Sequence, residues 1–596
     1  MAVELVGAVT SSVPEQQTPE TWLERFGAAL GTGDVERVRA FLAPELLWRD
    51  LLVTSWDFRN RTGQEVVAAL AGPELGVLEP TGLRLVHDAV HQQVGDVTHV
   101  LVFFAFDTSK GRCTGFVRLV PGGTEGWVAG ALLTQLDELA GHPERRGALR
   151  PIGKARGARR GRPGWAEERA RQREFLDADP DVVVVGAGHS GLSLAARLGR
   201  LGVSTLVVER NDRVGDNWRK RYPSLFLHDV AGMDHLPYLP LPDTWQRYTP
   251  KDKFAAYLEF YETALDLDVW TSSSVTAAVF DPVESRWTVT MRRRDGSDRT
   301  VRPRHLVIAT GFNGEPRTPH LPGSDEFGGT LVHAGAFEGG APWRGKRAVV
   351  LGAGVSGHDV AQDLYEQGAD VVMVQRSTSY VIDLSTYEAL YTTNYEDGSG
   401  VPTDMADMAA WSVPWGRIPE LGKMVAKAAA EIDAALLDGL AARGFGLDLG
   451  PDGSGHYGKH ILDRRDGYYL NIGASELIAD GRVEVRQGRT ITGLTGDGAL
   501  LSDGELLPAD LVVLATGYGS LEDAARQIVG DEIVDRCAPV YRLGEDLEMS
   551  AVWRRTAQEG LWFMTGSVQM ARFYSKILAL QIKGAEVGAN PADGER

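Results

Sequence analysis

Cysteine is nearly missing from this chain. Its 596 residues include two, Cys113 and Cys537, far apart and in no C-x-x-C pair. That count argues against a disulfide framework and a thiolate zinc site. Long apolar runs are missing too. No stretch of about 18 apolar residues could span a bilayer, so no integral membrane segment is expected. The first residues hold no basic segment followed by an apolar run, which argues against a secretory leader and for the cytoplasm. Positive charge is in deficit: 62 Lys and Arg against 81 Asp and Glu leave a formal net charge of −19. Such a surface repels phosphate backbones, so nucleic acid is not an expected partner. An anionic cofactor must then be held by backbone dipoles and a few placed arginines.

What is present divides into three regimes. Residues 1–140 open with helical periodicity (Trp22, Phe26, Leu30, then Val35, Val38, Phe41, Leu42). They continue with strand-like runs from Thr98 to Asp107 and Gly115 to Val120, an α+β pattern. His87, His91 and His99 lie close together there, but no metal-ligand cluster is read from them. Residues 141–178 are rich in Arg, Gly and Pro and read as a solvated basic linker with a charged helix from Trp165. From residue 179 onward, apolar strands alternate with helical patterns, as in α/β proteins with parallel sheets. A helical stretch, about 384–444, interrupts the alternation. Met405, Met408, Trp411 and Trp415 could line a cavity, although an apolar helical stripe is more often core.

The strongest signal is a phosphate-binding turn. Val182 to Val185 reads as a buried strand, and Gly186-x-Gly188-x-x-Gly191 opens a helix. The first glycine permits the tight turn, the second lets backbone approach a pyrophosphate, and the third lets helix pack on strand. The next strand ends in Glu209, about 20 residues on, where a carboxylate binds a ribose 2′-hydroxyl. The arrangement repeats as Gly352-x-Gly354-x-x-Gly357, but its second strand ends in Gln375-Arg376-Ser377. A carboxylate there would repel a 2′-phosphate, whereas Arg376 and Ser377 would bind one. The first site is therefore read as FAD-binding and the second as NADPH-binding. Arg210 also follows Glu209, so the missing acid discriminates between the sites. Two apolar strands close on Gly311 and Gly517, where backbone can approach a ligand. They mark an FAD-binding domain in two parts, 179–318 and 517–596, around an NADPH-binding domain, 319–516.

These paired turns with A-T-G strand ends resemble two flavoprotein families. Disulfide reductases need a cysteine pair that this chain does not offer. Class B flavin monooxygenases remain, and Phe327-x-Gly329-x-x-x-His333-x-x-x-Phe337 is similar to their fingerprint. Its terminal Phe leans toward flavin-containing monooxygenases. Gly215-Asp216-Asn217-Trp218, Tyr222-Pro223 and Asp229 resemble a Baeyer–Villiger segment. With Leu225, Leu227 and His228, the same stretch resembles plant-type N/S-oxygenating and indolepyruvate-oxidising enzymes. Leu561-Trp562-Phe563 to Gly566 and Arg572-Phe573-Tyr574-Ser575 look like the last flavin-contacting strand and helix. Residues 1–140 resemble the cone-shaped α+β barrels of SnoaL-like proteins, which commonly dimerise or hold small apolar ligands.

The resemblance implies two Rossmann-like domains behind an α+β barrel. It also implies an NADPH-dependent monooxygenase that passes one atom of dioxygen to a small substrate through a 4a-hydroperoxyflavin. Asp229 and His333 are its candidate catalytic residues, and Trp218 and Gly566 further flavin contacts. Three chemistries stay open: oxygenation at a soft N or S atom, Baeyer–Villiger or oxidative decarboxylating attack on a carbonyl, and a non-oxygenating redox sensor or transport regulator. A homodimer is expected through the barrel. A chain starting near Trp165 is expected to bind FAD and oxidise NADPH by itself.

Overall fold

The computed structural model describes residues 18–590 except 73–74, 76–77, 95–96, 124–125, 154–156, 313 and 460–466. The first 17 residues of the expected barrel and the last six of the chain lie outside it.

The helix Pro19–Thr32 opens the described chain. Thr18 caps it by accepting the Thr21 N–H, Pro19 fixes its first turn, and Gly33 ends it at φ +65°. Trp22 and Phe26 on its inner side stack at 5.0 Å. Beside it, strands order as Phe58–Thr62, Leu42–Leu51, Trp127–Leu139, Gly111–Pro121, Val97–Thr108 and Thr81–Leu85. Leu42 belongs to a strand and not to the helical run read from the sequence, because its backbone pairs with Ala129 in a parallel ladder. The central strands are apolar on both faces. That pattern requires cover on both sides of the sheet. Short helices pack on one face. The helix Val568–Glu586, far along the chain, packs against the strand Trp127–Leu139.

The remainder holds two five-stranded parallel sheets. One orders as Asp268–Trp270, Thr205–Val208, Val182–Val185, His305–Ile308 and Leu561–Phe563. The other orders as Thr330–His333, Leu511–Leu514, Arg347–Leu351, Asp370–Gln375 and Glu484–Gln487. Leu561–Phe563 returns to the first sheet beside His305–Ile308, whereas the Gly517-closed strand Leu511–Leu514 belongs to the second. Each sheet also carries a three-stranded antiparallel excursion, Ser274–Val301 and Ile491–Pro508, that the sequence pattern did not reveal. The helical stretch forms four helices, Leu384–Tyr391, Thr403–Ala410, Ile418–Ile432 and Ala434–Ala442. Met408, Trp411 and Trp415 are buried in the main core. Trp415 stacks on Trp553 at 5.7 Å. Those side chains pack as core.

Candidate active site

Both glycine turns form at the carboxyl end of the central strand of their sheet. Gly186 has φ +108°, and a Cβ there would lie 2.6 Å from Ala309 O. At Gly191 a Cβ would lie 2.0 Å from Gly186 O. The fold itself demands these two glycines. Gly188 differs: its backbone is extended, and a Cβ would meet only Asn217 Nδ2 at 3.7 Å. The protein leaves room there that a pyrophosphate would need. In the second turn Gly352 (φ +120°) and Gly357 are similarly demanded, with Cβ positions 2.4 Å from Ala515 O and 2.1 Å from Gly352 O.

The first turn is ringed by unused hydrogen-bonding capacity. His189 Nδ1, Trp218 Nε1, Thr310 Oγ1 and Thr565 Oγ1 are buried without a partner. His189 Nε2–H donates to Gly566 O at 2.8 Å, fixing that glycine (φ +125°) against the turn. Trp218 sets its edge on Phe254 at 5.1 Å. Buried polar atoms are normally paired, and four orphans beside one glycine turn fit a bound dinucleotide. Glu209 is buried at the end of its strand. Its carboxylate accepts from Ala187 N (2.9 Å), Asn211 N (2.8 Å) and Asn211 Nδ2 (2.7 Å). A carboxylate takes about four such bonds, so capacity for a ribose hydroxyl remains. Arg210 points away and pairs with Glu315 at 2.8 Å on the surface.

At the second turn Gln375 is fully buried. Its amide makes two bonds to Gly446, accepting the N–H (2.7 Å) and donating to O (2.8 Å). It braces the strand end and does not face a nucleotide. Arg376 and Ser377 are exposed, and neither bonds to any described residue, so both are available to a phosphate. His358, two residues past Ser356 in the turn, stacks on Tyr469 at 4.0 Å and donates from Nδ1 to Gly354 O at 3.0 Å. Burial pulls this imidazole down to about 4.

Between the turns lies a polar seam. Tyr222, buried, donates to Asp359 Oδ2 at 2.6 Å and ties the first domain to the second. Burial raises the Asp359 carboxyl, against His228 and the tyrosine hydrogen bond. Tyr387 donates to Asp229 Oδ1 at 3.1 Å. Burial raises Asp229 as well, outweighing that bond and the nearby His228 and Arg572. His333 is spoken for: Gly335 N–H donates to Nδ1 and Nε2–H donates to Gly517 O, both at 3.0 Å. Desolvation lowers its pKa. With both nitrogens on backbone, it shapes the Gly517 strand end and has no free nitrogen to transfer a proton. Gly311 and Gly517 both take positive φ with open space around them.

Sequence reasoning did not anticipate the contacts that lock the flavin-side helix. Arg572 pairs with Asp407 in the helical insertion at 2.7 and 2.8 Å. Arg49, in the N-terminal sheet, makes two bonds to Glu548, at 2.7 and 2.6 Å, across 499 residues. It also reaches Trp411 O (2.6 Å) and Tyr574 (3.0 Å). Tyr574 stacks on Trp553 at 4.1 Å. No local pattern signals a pair so distant. Arg49 and Glu548 are both fully buried, which revises the expectation that the front domain is separable. Cys113 and Cys537 are free and buried. No helix among the described residues is long and apolar enough to cross a membrane, and no cluster of three metal-ligating side chains is found among them.

Comparison with known proteins agrees with this geometry. The family model for pyridine nucleotide-disulphide oxidoreductases matches residues 183–390. An indole-3-pyruvate monooxygenase of Oryza sativa subsp. japonica, YUCCA1, is 32% identical over 342 residues, 57% of this chain and 77% of that protein. A probable indole-3-pyruvate monooxygenase of Arabidopsis thaliana, YUCCA9, is 34% identical over 57% of this chain and 75% of its own length. Among solved structures, an oxidised steroid monooxygenase bound to NADP superposes with a TM-score of 0.50 and 22% identity, covering 69% of this chain and 86% of that one. That likeness concerns the fold.

Proposed function

The chain belongs to the flavin monooxygenases, NADPH-dependent oxidoreductases that carry FAD, and from that premise we propose that it oxygenates a small 2-oxo acid with loss of carbon dioxide. The observation that supports this substrate class is the 32% identity to a rice indole-3-pyruvate monooxygenase over 77% of its length. In the overall balance one oxygen atom of dioxygen enters the new carboxylic acid. The other leaves as water with the two electrons of NADPH, and the substrate carboxyl departs as carbon dioxide.

We assign FAD to Gly186, Gly188, Gly191 and Glu209, with Trp218, Gly311 and Gly566 around it. NADPH goes to Gly352, Gly354, Gly357, Arg376, Ser377 and the Gly517 strand end. When bound, the flavin supplies hydride acceptance and dioxygen activation. The chain's own residues do the rest. The helix following each glycine turn directs its N–H groups at a pyrophosphate. Tyr222 and Asp359 hold the two domains in register, and His333 fixes the strand end facing the second turn. To Asp229, half-buried beside His228 and bonded to Tyr387, we assign the role of holding or releasing a proton for the bound flavin. Helices of the insertion, pinned by Asp407 to Arg572, exclude water. The N-terminal body joins the proposal as a SnoaL-like barrel, a reading supported by its helix-flanked order of strands with Leu42–Leu51 parallel to Trp127–Leu139, and a homodimer through it is proposed from the resemblance alone.

A second reading, oxygenation of a soft N or S atom, is supported by the Phe337 end of the fingerprint, a side chain buried in the second domain's core. The test is to supply NADPH and dioxygen with aryl 2-oxo acids, tertiary amines or thioethers, measuring carbon dioxide and product mass with labelled dioxygen. Carbon dioxide and a labelled acid are expected from the 2-oxo acids. Labelled N- or S-oxides without carbon dioxide release would replace the first reading by the second. Oxidation of NADPH to hydrogen peroxide alone, with every substrate, would refute both.

A further inference from the structure

The face of the N-terminal sheet that meets the helical insertion holds a charge with no carboxylate partner among the described residues. Arg118, on the strand Gly111–Pro121, is 6% exposed. Its Nε and Nη1 are buried and bond to nothing, and it forms no ion pair with a described residue. Its guanidinium lies 5.9 Å from the Phe116 ring. Burial, with no carboxylate to offset it, pulls its pKa down to about 10.

A second unsatisfied group shares the face. Leu101 is the cross-strand partner of Arg118, and His99 stands two residues earlier on the same strand. Residues i and i+2 of a strand share a side, so His99 and Arg118 point the same way. His99 Nδ1 is also buried and unpartnered. Burial, then the neighbouring Arg118, pull this imidazole down to about 4, so it is neutral and can present an N–H. The opposing wall is the insertion. Gln92, across from His99, donates to Asn394 Oδ1, and the helix Thr403–Ala410 packs against the Arg118 strand. Around the two polar groups the face is apolar, with Phe103 and Phe116 in ring contact at 5.3 Å.

An unpaired buried ion is among the costliest features a fold can retain. Arg49, on the same sheet, shows the ordinary remedy, a facing carboxylate from the catalytic body. Arg118 has none. We propose that Arg118 and His99 bind the carboxylate of a small apolar organic acid, seated between the N-terminal sheet and the insertion. One guanidinium balances one carboxylate, whereas a dianionic phosphate would leave charge unneutralised among aromatic rings. The site uses none of the residues assigned to either nucleotide turn and does not depend on the substrate proposed above.

Full-length, flavin-loaded protein is titrated calorimetrically with phenylacetate, phenylacetamide and inorganic phosphate, and its melting temperature is measured without them. The same is done for Arg118→Met, which keeps the stem and removes the charge, and for Arg118→Lys and Arg118→Gln. Saturable phenylacetate binding is expected in the parent protein, with the amide and phosphate at least about tenfold weaker. Arg118→Met and Arg118→Gln should each weaken phenylacetate at least about tenfold, and Arg118→Lys less. Unliganded Arg118→Met should melt no lower than the parent, because an uncompensated charge has been removed. Phenylacetate bound equally by parent and Arg118→Met, no saturation by the parent below about 10 mM, or phosphate bound more tightly would each overturn the proposal. So would destabilised Met and Gln variants alongside a stable Lys variant when no acid is present, since that pattern assigns Arg118 an internal partner.

Discussion

Replacing Arg49 by Met tests whether the N-terminal body is part of the flavin-binding unit. The substitution removes two bonds to Glu548, one to Trp411 O and one to Tyr574. Glu548 is left fully buried, with Asn60 Nδ2 at 2.9 Å as its remaining side-chain donor. Breaking a buried pair by removing one partner costs about 3–5 kcal/mol, much of it the stranded charge. The loss should appear in the helix Val568–Glu586, which carries Tyr574 and begins just after Gly566 at the flavin turn. Urea unfolding followed by flavin fluorescence would therefore show release at a lower midpoint than in the parent. Removing both charges, as Arg49→Met with Glu548→Leu, should recover most of the deficit, because an apolar pair of similar volume replaces a buried ion pair at little cost. A chain starting near Trp165 should lose flavin even more readily, since it exposes Glu548, Tyr574 and the Trp411 neighbourhood together. An Arg49→Met midpoint within about 0.5 kcal/mol of the parent, or a double variant no better than the single one, would refute this account of the interface.

Further outcomes follow from the two turns and from one buried imidazole. Gly188→Val should leave folding intact and abolish flavin retention, because the protein alone leaves room for the side chain; Gly191→Ala should instead yield little folded protein. Circular dichroism and flavin absorbance separate the two cases. Arg376→Ala should raise the KM for NADPH roughly ten- to a hundredfold through loss of a charge-assisted bond worth about 1.5–3 kcal/mol, with NADH little changed; equal losses for both cofactors would make Arg376 structural. His358 titrates near 4 when folded and near 6.5 when unfolded. The unfolded chain therefore binds the extra proton between those values. Its stabilising effect is complete above about pH 6.5 and is lost as pH falls toward 4, about 3 kcal/mol in all. His358→Gln should flatten the stability–pH slope in that window by up to one proton, and an unchanged slope would show that the imidazole is not buried neutral.

Much of this molecule was legible in local spacing. A strand, G-x-G-x-x-G and a helix are close neighbours in sequence, and their chemistry depends on backbone within a few residues. Both glycine turns, with Glu209 and Gln375 at the ends of their second strands, could therefore be read directly. Leu561–Phe563 reads as a fully apolar strand although it forms the edge of the first sheet, because both of its faces are covered. Side-chain roles were less accessible. His333 sits in a recognisable fingerprint, yet only its backbone partners at Gly335 and Gly517 show that its nitrogens are occupied. Gln375 reads as a missing carboxylate, and the fold reveals that its amide braces Gly446. The Met and Trp stripe of the insertion had two readings until packing on Trp553 placed it in the core. Arg49–Glu548, Arg572–Asp407 and the unpaired Arg118 had no reading at all. Each depends on segments brought together from distant parts of the chain, and the energy of a buried charge is set by what faces it across that junction, which no local pattern of residues encodes.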